Sequence, residues 1–120
     1  MDDIQQTINK IKKNEISKKE LIECLDDSNI LIIANAIFQV VKLKIHDEIT
    51  LDKLVHLAKG IEDKPKVLGQ YNNAHFALAA LFWLDTEKSV KKFDEIAGHI
   101  ATEKCIILTK LIEERPYLYL

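Results

Sequence analysis

The chain nearly repeats itself after about forty residues. Ala34-Asn-Ala-Ile-Phe-Gln-Val-Val-Lys-Leu43 lies over His75-Phe-Ala-Leu-Ala-Ala-Leu-Phe-Trp-Leu84 at an offset of 41 (75 − 34). Behind each copy comes a shorter amphipathic stretch, Leu51-Asp-Lys-Leu-Val-His-Leu-Ala58 and Val90-Lys-Lys-Phe-Asp-Glu-Ile-Ala97. A long apolar helix followed by a shorter amphipathic one, repeated at this period, is the mark of stacked helical repeats, in which each unit buries its apolar face against the next. A sequence of 120 residues, 48% of them hydrophobic, forms one such domain over 1–120 and buries enough surface to fold without staples.

The helices follow from spacing and caps. Ile4, Ile8 and Ile11 give an amphipathic first helix over about 2–13. Ser17-Lys-Lys-Glu20 is a capping box opening a second helix that ends near Leu25. Asp26-Asp-Ser28 supplies cap acceptors for a third, about 29–44, which is apolar except for a stripe of Ser28, Asn35, Gln39 and Lys42 and must be central. Thr50 is the expected N-cap of a fourth helix running to about Lys59 and stopped by Gly60. Helices over about 70–84, 87–100 and 103–114 complete a set of about seven, and no stretch reads as a strand. The expected fold class is all-α.

Leu25-Asp-Asp-Ser-Asn-Ile30, Ala34, Ala36-Ile37 and Val40, followed by Leu51, Leu54 and Leu57-Ala58, resemble a HEAT repeat: an acidic turn, a helix of small and aliphatic residues, a short turn and a leucine-spaced second helix. Glu62-Asp63, Ala77-Leu78, Leu81, Phe93 and Ile96-Ala97 resemble a second copy, and Ala101–Leu111 half of a third. The chain lacks the arginine that often follows the acidic turn and, in the first copy, the early proline. The resemblance implies a short right-handed HEAT-like α-solenoid whose surface binds another macromolecule. In size, single-domain build and Ile/Lys/Asn-rich composition the chain is also similar to immunity proteins that neutralise a toxin delivered by contact-dependent growth inhibition. That likeness implies a stoichiometric, non-enzymatic inhibitor that covers the active cleft of a cognate toxin, a nuclease for example.

Charge and chemistry agree with a binding role. The formal charge is −2, with 17 basic and 19 acidic residues spread evenly, and Arg115 is the sole arginine, so nucleic acid and anionic membranes are not expected partners. Lys10, Lys12, Lys13, Lys18 and Lys19 form the one basic cluster and read as a solvated helix end. His46, His56, His75 and His99 form no metal-ligand spacing and read as partly exposed surface residues; Ser17, Ser28 and Ser89 read as caps. Three widely spaced glycines exclude a phosphate-cradling loop. Cys24 and Cys105 stand alone inside apolar patterns, as expected of free thiols in a reducing cytoplasm. No catalytic residue, cofactor or metal is expected.

The repeat alignment singles out a surface. Opposite the polar Asn35, Gln39 and Lys42 of the first copy stand Phe76, Ala80 and Trp83 of the second. Apolar area left in water forfeits roughly 25 cal/mol per Å², so this stripe needs a cover. The tail Pro116-Tyr-Leu-Tyr-Leu120, a helix twist that turns the stripe inward, and a partner protein are the three open choices. The acidic turns holding Asp47, Glu48, Asp85 and Glu87 line one edge and could steer a basic cleft. The expected partner-binding residues are therefore Asp47, Glu48, Phe76, Trp83, Asp85, Glu87, Tyr117 and Tyr119, presented by a monomer. The alternative function is a scaffold that self-associates through a Phe76/Trp83 patch.

Overall fold

In the computed structural model, which describes residues 3–59, 65–69 and 71–118, the chain runs α1 (Asp3–Lys12), α2 (Lys18–Cys24), α3 (Ile30–Leu43), α4 (Glu48–Ala58), β1 (Lys66–Leu68), β2 (Tyr71–Asn72), α5 (Asn73–Trp83), α6 (Glu87–Ala97), α7 (Thr102–Glu114) and a 3-10 turn (Pro116–Leu118). The fold is essentially all-α, with extents of 41 × 29 × 23 Å. The odd-numbered helices pack in series, α1 on α3, α3 on α5 and α5 on α7, while α2 lies on α3 and both α4 and α6 lie on α5. Four helices thus surround α5, and every residue from Tyr71 to Leu81 is buried.

Side-chain caps fix most of these boundaries. Ser17 Oγ accepts the Glu20 amide at 3.1 Å, as its spacing predicts, and its hydroxyl donates to the Glu20 carboxylate. Asn29, rather than Ser28, caps α3, with Oδ1 taking the amides of Leu31 and Ile32, while Asp27 takes the amide of Asn29 at 2.8 Å. The cap of α4 lies three residues before the expected Thr50. Asp47 is its N-cap residue and Thr50, fully buried, donates its hydroxyl to the Asp47 carboxylate. Thr86 and Ser89 form a reciprocal capping box at α6, which ends at Ala97 with Gly98 as its cap and stops short of the expected residue 100. Gly60, expected to stop α4, lies outside the described residues.

The sequence pattern misses a short hairpin. β1 and β2 pair antiparallel, Lys66 with Asn72 and Leu68 with Tyr71, with a bulge between Lys66 and Leu68. Gly69 turns the chain at φ +58°, a left-handed conformation that costs glycine little. The helix expected from residue 70 therefore starts at Asn73. Apolar periodicity runs unbroken through Tyr71, but Asn72 takes the extended conformation of a cap and ends the strand where the helix begins.

The core joins both repeats. Ile37 and Leu78, which align in the internal echo, are each fully buried, as are Ala36 and Ala77, Val40 and Leu81. Phe38 meets Phe76 with ring centroids 4.8 Å apart in a tilted pair. Phe76 is the largest fully buried side chain, at 0% exposure, and Ala80 matches it. Their expected place on a solvent stripe is corrected: with α3, α4, α6 and α7 around it, α5 has no solvent side until its last turn. Gln39, assigned to the polar stripe of α3, is also buried.

Candidate functional site

Trp83 closes α5 and is half-buried. Its indole N–H donates to the Ile112 carbonyl of α7 at 3.1 Å, and the Tyr117 ring lies against it with centroids 4.8 Å apart. The indole thereby satisfies its polar atom while one face packs on the tail. The 3-10 turn that carries Tyr117 also rests on α3, so the chain's last described turn bridges α3, α5 and α7. Val41, Lys42, Lys44, Trp83, Tyr117 and Leu118 line a groove of about 360 Å³ at this end, and Leu118 is 58% exposed. The stripe singled out by the alignment divides: Phe76 and Ala80 turn inward, and Trp83 meets the tail. Tyr119 lies outside the described residues.

The four acidic residues expected beside this anchor separate into two kinds. Asp47 pairs with Lys18 at 4.0 Å and Glu48 with Lys88 at 3.2 Å. Together with Asp52–Lys92 at 3.7 Å and Asp26–Lys53, these pairs tie α2, α4 and α6 to one another. Exposed pairs of this kind each contribute roughly 0–1 kcal/mol, and they neutralise the charge that would steer a basic partner. Asp85 and Glu87 make no ion pair among the described residues, and both are exposed. Asp85 holds φ at +51°, the left-handed turn that sends the chain from α5 into α6, two residues beyond Trp83. Free negative charge therefore stands next to the aromatic anchor and not along the whole edge.

His75 is buried, contrary to the surface role expected of it. It is the third residue of α5: Asn72 Oδ1 accepts the His75 amide and His75 Nδ1 accepts the Asn72 amide, both at 3.0 Å. Burial, and then the nearby charges of Lys104 and Lys66, push its imidazole down to about 4 from the ordinary 6.5. An acceptor at Nδ1 leaves the proton on Nε2, which has no hydrogen-bond partner among the described residues. His46, His56 and His99 are exposed. Cys24 and Cys105 are half-buried free thiols, and burial, followed by the charges of Asp27, Glu20 and Glu23, raises the Cys24 thiol further from ionisation. Among the described residues no three or more His, Cys, Asp or Glu side chains gather to hold a metal ion, and no helix is long and apolar enough to cross a membrane.

Residues that the sequence reading passed over form a second surface. Ile22 of α2 and Ile49 of α4 face one groove of about 510 Å³, walled by the stems of Lys18, Lys19 and Lys53 and by Glu23. Ile49 is 61% exposed. The signal was present, since Ile22 and Ile49 fall outside the buried leucine register of their helices. What brings the two together is the packing of α2 beside α4, which no local pattern encodes. Compared with known proteins, the chain matches no family model, no curated protein and no solved structure.

Proposed function

We propose that this chain is a stoichiometric protein-binding module built on a short HEAT-like stack, and that it serves as an immunity protein whose partner is a toxin. The observation that carries the reading is the end of α5: Trp83, braced by Tyr117 and the Ile112 carbonyl, opens onto a partly apolar groove and stands two residues from Asp85, which makes no ion pair among the described residues. An aromatic anchor held rigid by its neighbours and rimmed by charge is the usual composition of an interface hot spot. The serial packing of the odd-numbered helices supports a stack that presents such an end as a preorganised surface. Binding alone performs the function, because occupation of a toxin's cleft excludes its substrate. No bond is made or broken by this chain. A scaffold joined through a Phe76/Trp83 patch has less support, because Phe76 is 0% exposed.

Co-expression with the product of the neighbouring reading frame tests the proposal. The expected result is that the frame arrests growth alone and that the chain relieves the arrest one-to-one. Trp83→Ala and Asp85→Lys should weaken relief while leaving helical content intact. A neighbouring frame without toxicity, or relief indifferent to both substitutions, overturns the reading.

A further inference from the structure

We propose that the groove between α2 and α4 is a self-association surface that receives a second copy of this chain about a two-fold axis. Its walls are mostly carbon, Ile22 and Ile49 together with the methylene stems of three lysines, and Ile49 stands 61% exposed as a knob beside the hollow. A knob and a hollow on one patch satisfy the requirement of an isologous contact, in which the same surface serves both copies. The charges identify the occupant. Lys18 and Lys53 are already paired with Asp47 and Asp26. Lys19 and Glu23 make no ion pair among the described residues and lie four positions apart on α2, one turn from each other.

An antiparallel crossing of two α2 helices sets Lys19 of each copy against Glu23 of the other and brings Ile22 and Ile49 of both to the axis. An acidic foreign segment would leave Glu23 facing like charge, and a basic one would do the same to Lys19. A second copy pairs both at once. With a formal charge of only −2, the two copies repel each other little. This surface shares no residue with the Trp83 groove, so the dimer stands or falls independently of the immunity reading. A weak dimer of this kind differs from the monomer expected from sequence.

Sedimentation equilibrium of the full chain over roughly 1 µM to 1 mM should show the mass rising from one chain to two, as expected of a weak dimer. Ile49→Asp and Lys19→Glu, both at exposed positions, should each weaken association at least about tenfold with unchanged circular dichroism. The double variant Lys19→Glu/Glu23→Lys should restore association, since it only exchanges the two members of each pair. Trp83→Ala should leave association unchanged. A single-chain mass at every concentration, a dimer indifferent to Ile49→Asp, or a double variant as weak as Lys19→Glu alone overturns the proposal.

Discussion

Asn72 and His75 hold each other at the entrance to α5, each accepting the other's backbone amide at 3.0 Å. Both side chains are buried, and Tyr71 lies edge-on to the imidazole with centroids 6.0 Å apart. The most buried helix of the molecule thus starts on a hydrogen-bond pair of which one member, the Asn72 amide to Nδ1, forms only while His75 is neutral, since a protonated Nδ1 cannot accept.

That dependence sets a pH response. The folded imidazole protonates only near pH 4, whereas in the unfolded chain it does so at the ordinary 6.5. Between these values unfolding takes up a proton, so the contribution of neutral His75 is complete above pH 6.5, falls as the solution is acidified and is gone below about 4. The full difference amounts to about 3 kcal/mol. Urea unfolding at pH 7.5 and pH 4.5 should show wild type losing about 2 kcal/mol more than His75→Gln, which keeps an acceptor in the capping box and does not titrate. Equal losses in the two proteins would remove His75 as the cause.

Loss of the cap itself is a separate measurement. Asn72→Ala strips the acceptor from the His75 amide in a buried site, and the expected cost is about 1–2 kcal/mol at pH 7.5. Asn72→Ser, which can still accept, should recover much of it. Asn72→Ala and His75→Gln together should cost less than their sum, since both act on one box. Strict additivity in urea titrations would mean that the two hydrogen bonds are independent.

Phe76 distinguishes core from surface. At 0% exposure and packed on Phe38 and Tyr71, it should cost about 3–5 kcal/mol as Phe76→Ala, enough to unfold much of a domain of marginal stability. Asp85→Asn, at an exposed position and with a side chain suited to the left-handed turn, should change stability by less than about 0.5 kcal/mol. Comparable thermal shifts for the two substitutions would contradict the inward placement of Phe76.

Much of this architecture is legible in local pattern. Ile8 and Ile11 are buried where their spacing puts them, Ser17 caps α2, and the aligned pairs Ile37/Leu78 and Val40/Leu81 are core residues. The failures share one physical source. Periodicity tells which positions are apolar but not how many neighbours a helix has, so α5, enclosed by four helices, was given a wet stripe at Phe76 and Ala80 that belongs to none of its faces. Asn72 and His75 were readable as a cap and its third residue, yet Tyr71, in helical register with Ala74 and Leu78, hid the short strand that ends at Asn72. Ile22 and Ile49 line one groove only because α2 lies near α4, a tertiary fact.

The tail supplies the last test. Trp83 is the chain's single tryptophan, so its fluorescence reports one environment. Tyr117 covers one face of the indole while the Ile112 carbonyl holds its N–H. Deleting residues 116–120 removes the ring but leaves α7 and the hydrogen-bond acceptor in place. Emission should move to longer wavelength as water reaches the exposed face, quenching by acrylamide should rise, and stability should fall by about 1–2 kcal/mol for the lost aromatic pair and its buried area. Tyr117→Ala should reproduce most of both effects, whereas Tyr117→Phe should reproduce little, because it keeps the ring that packs on the indole. If emission and quenching stay the same after truncation, Tyr117 does not shield Trp83, and the braced anchor on which the proposed partner binding rests is lost.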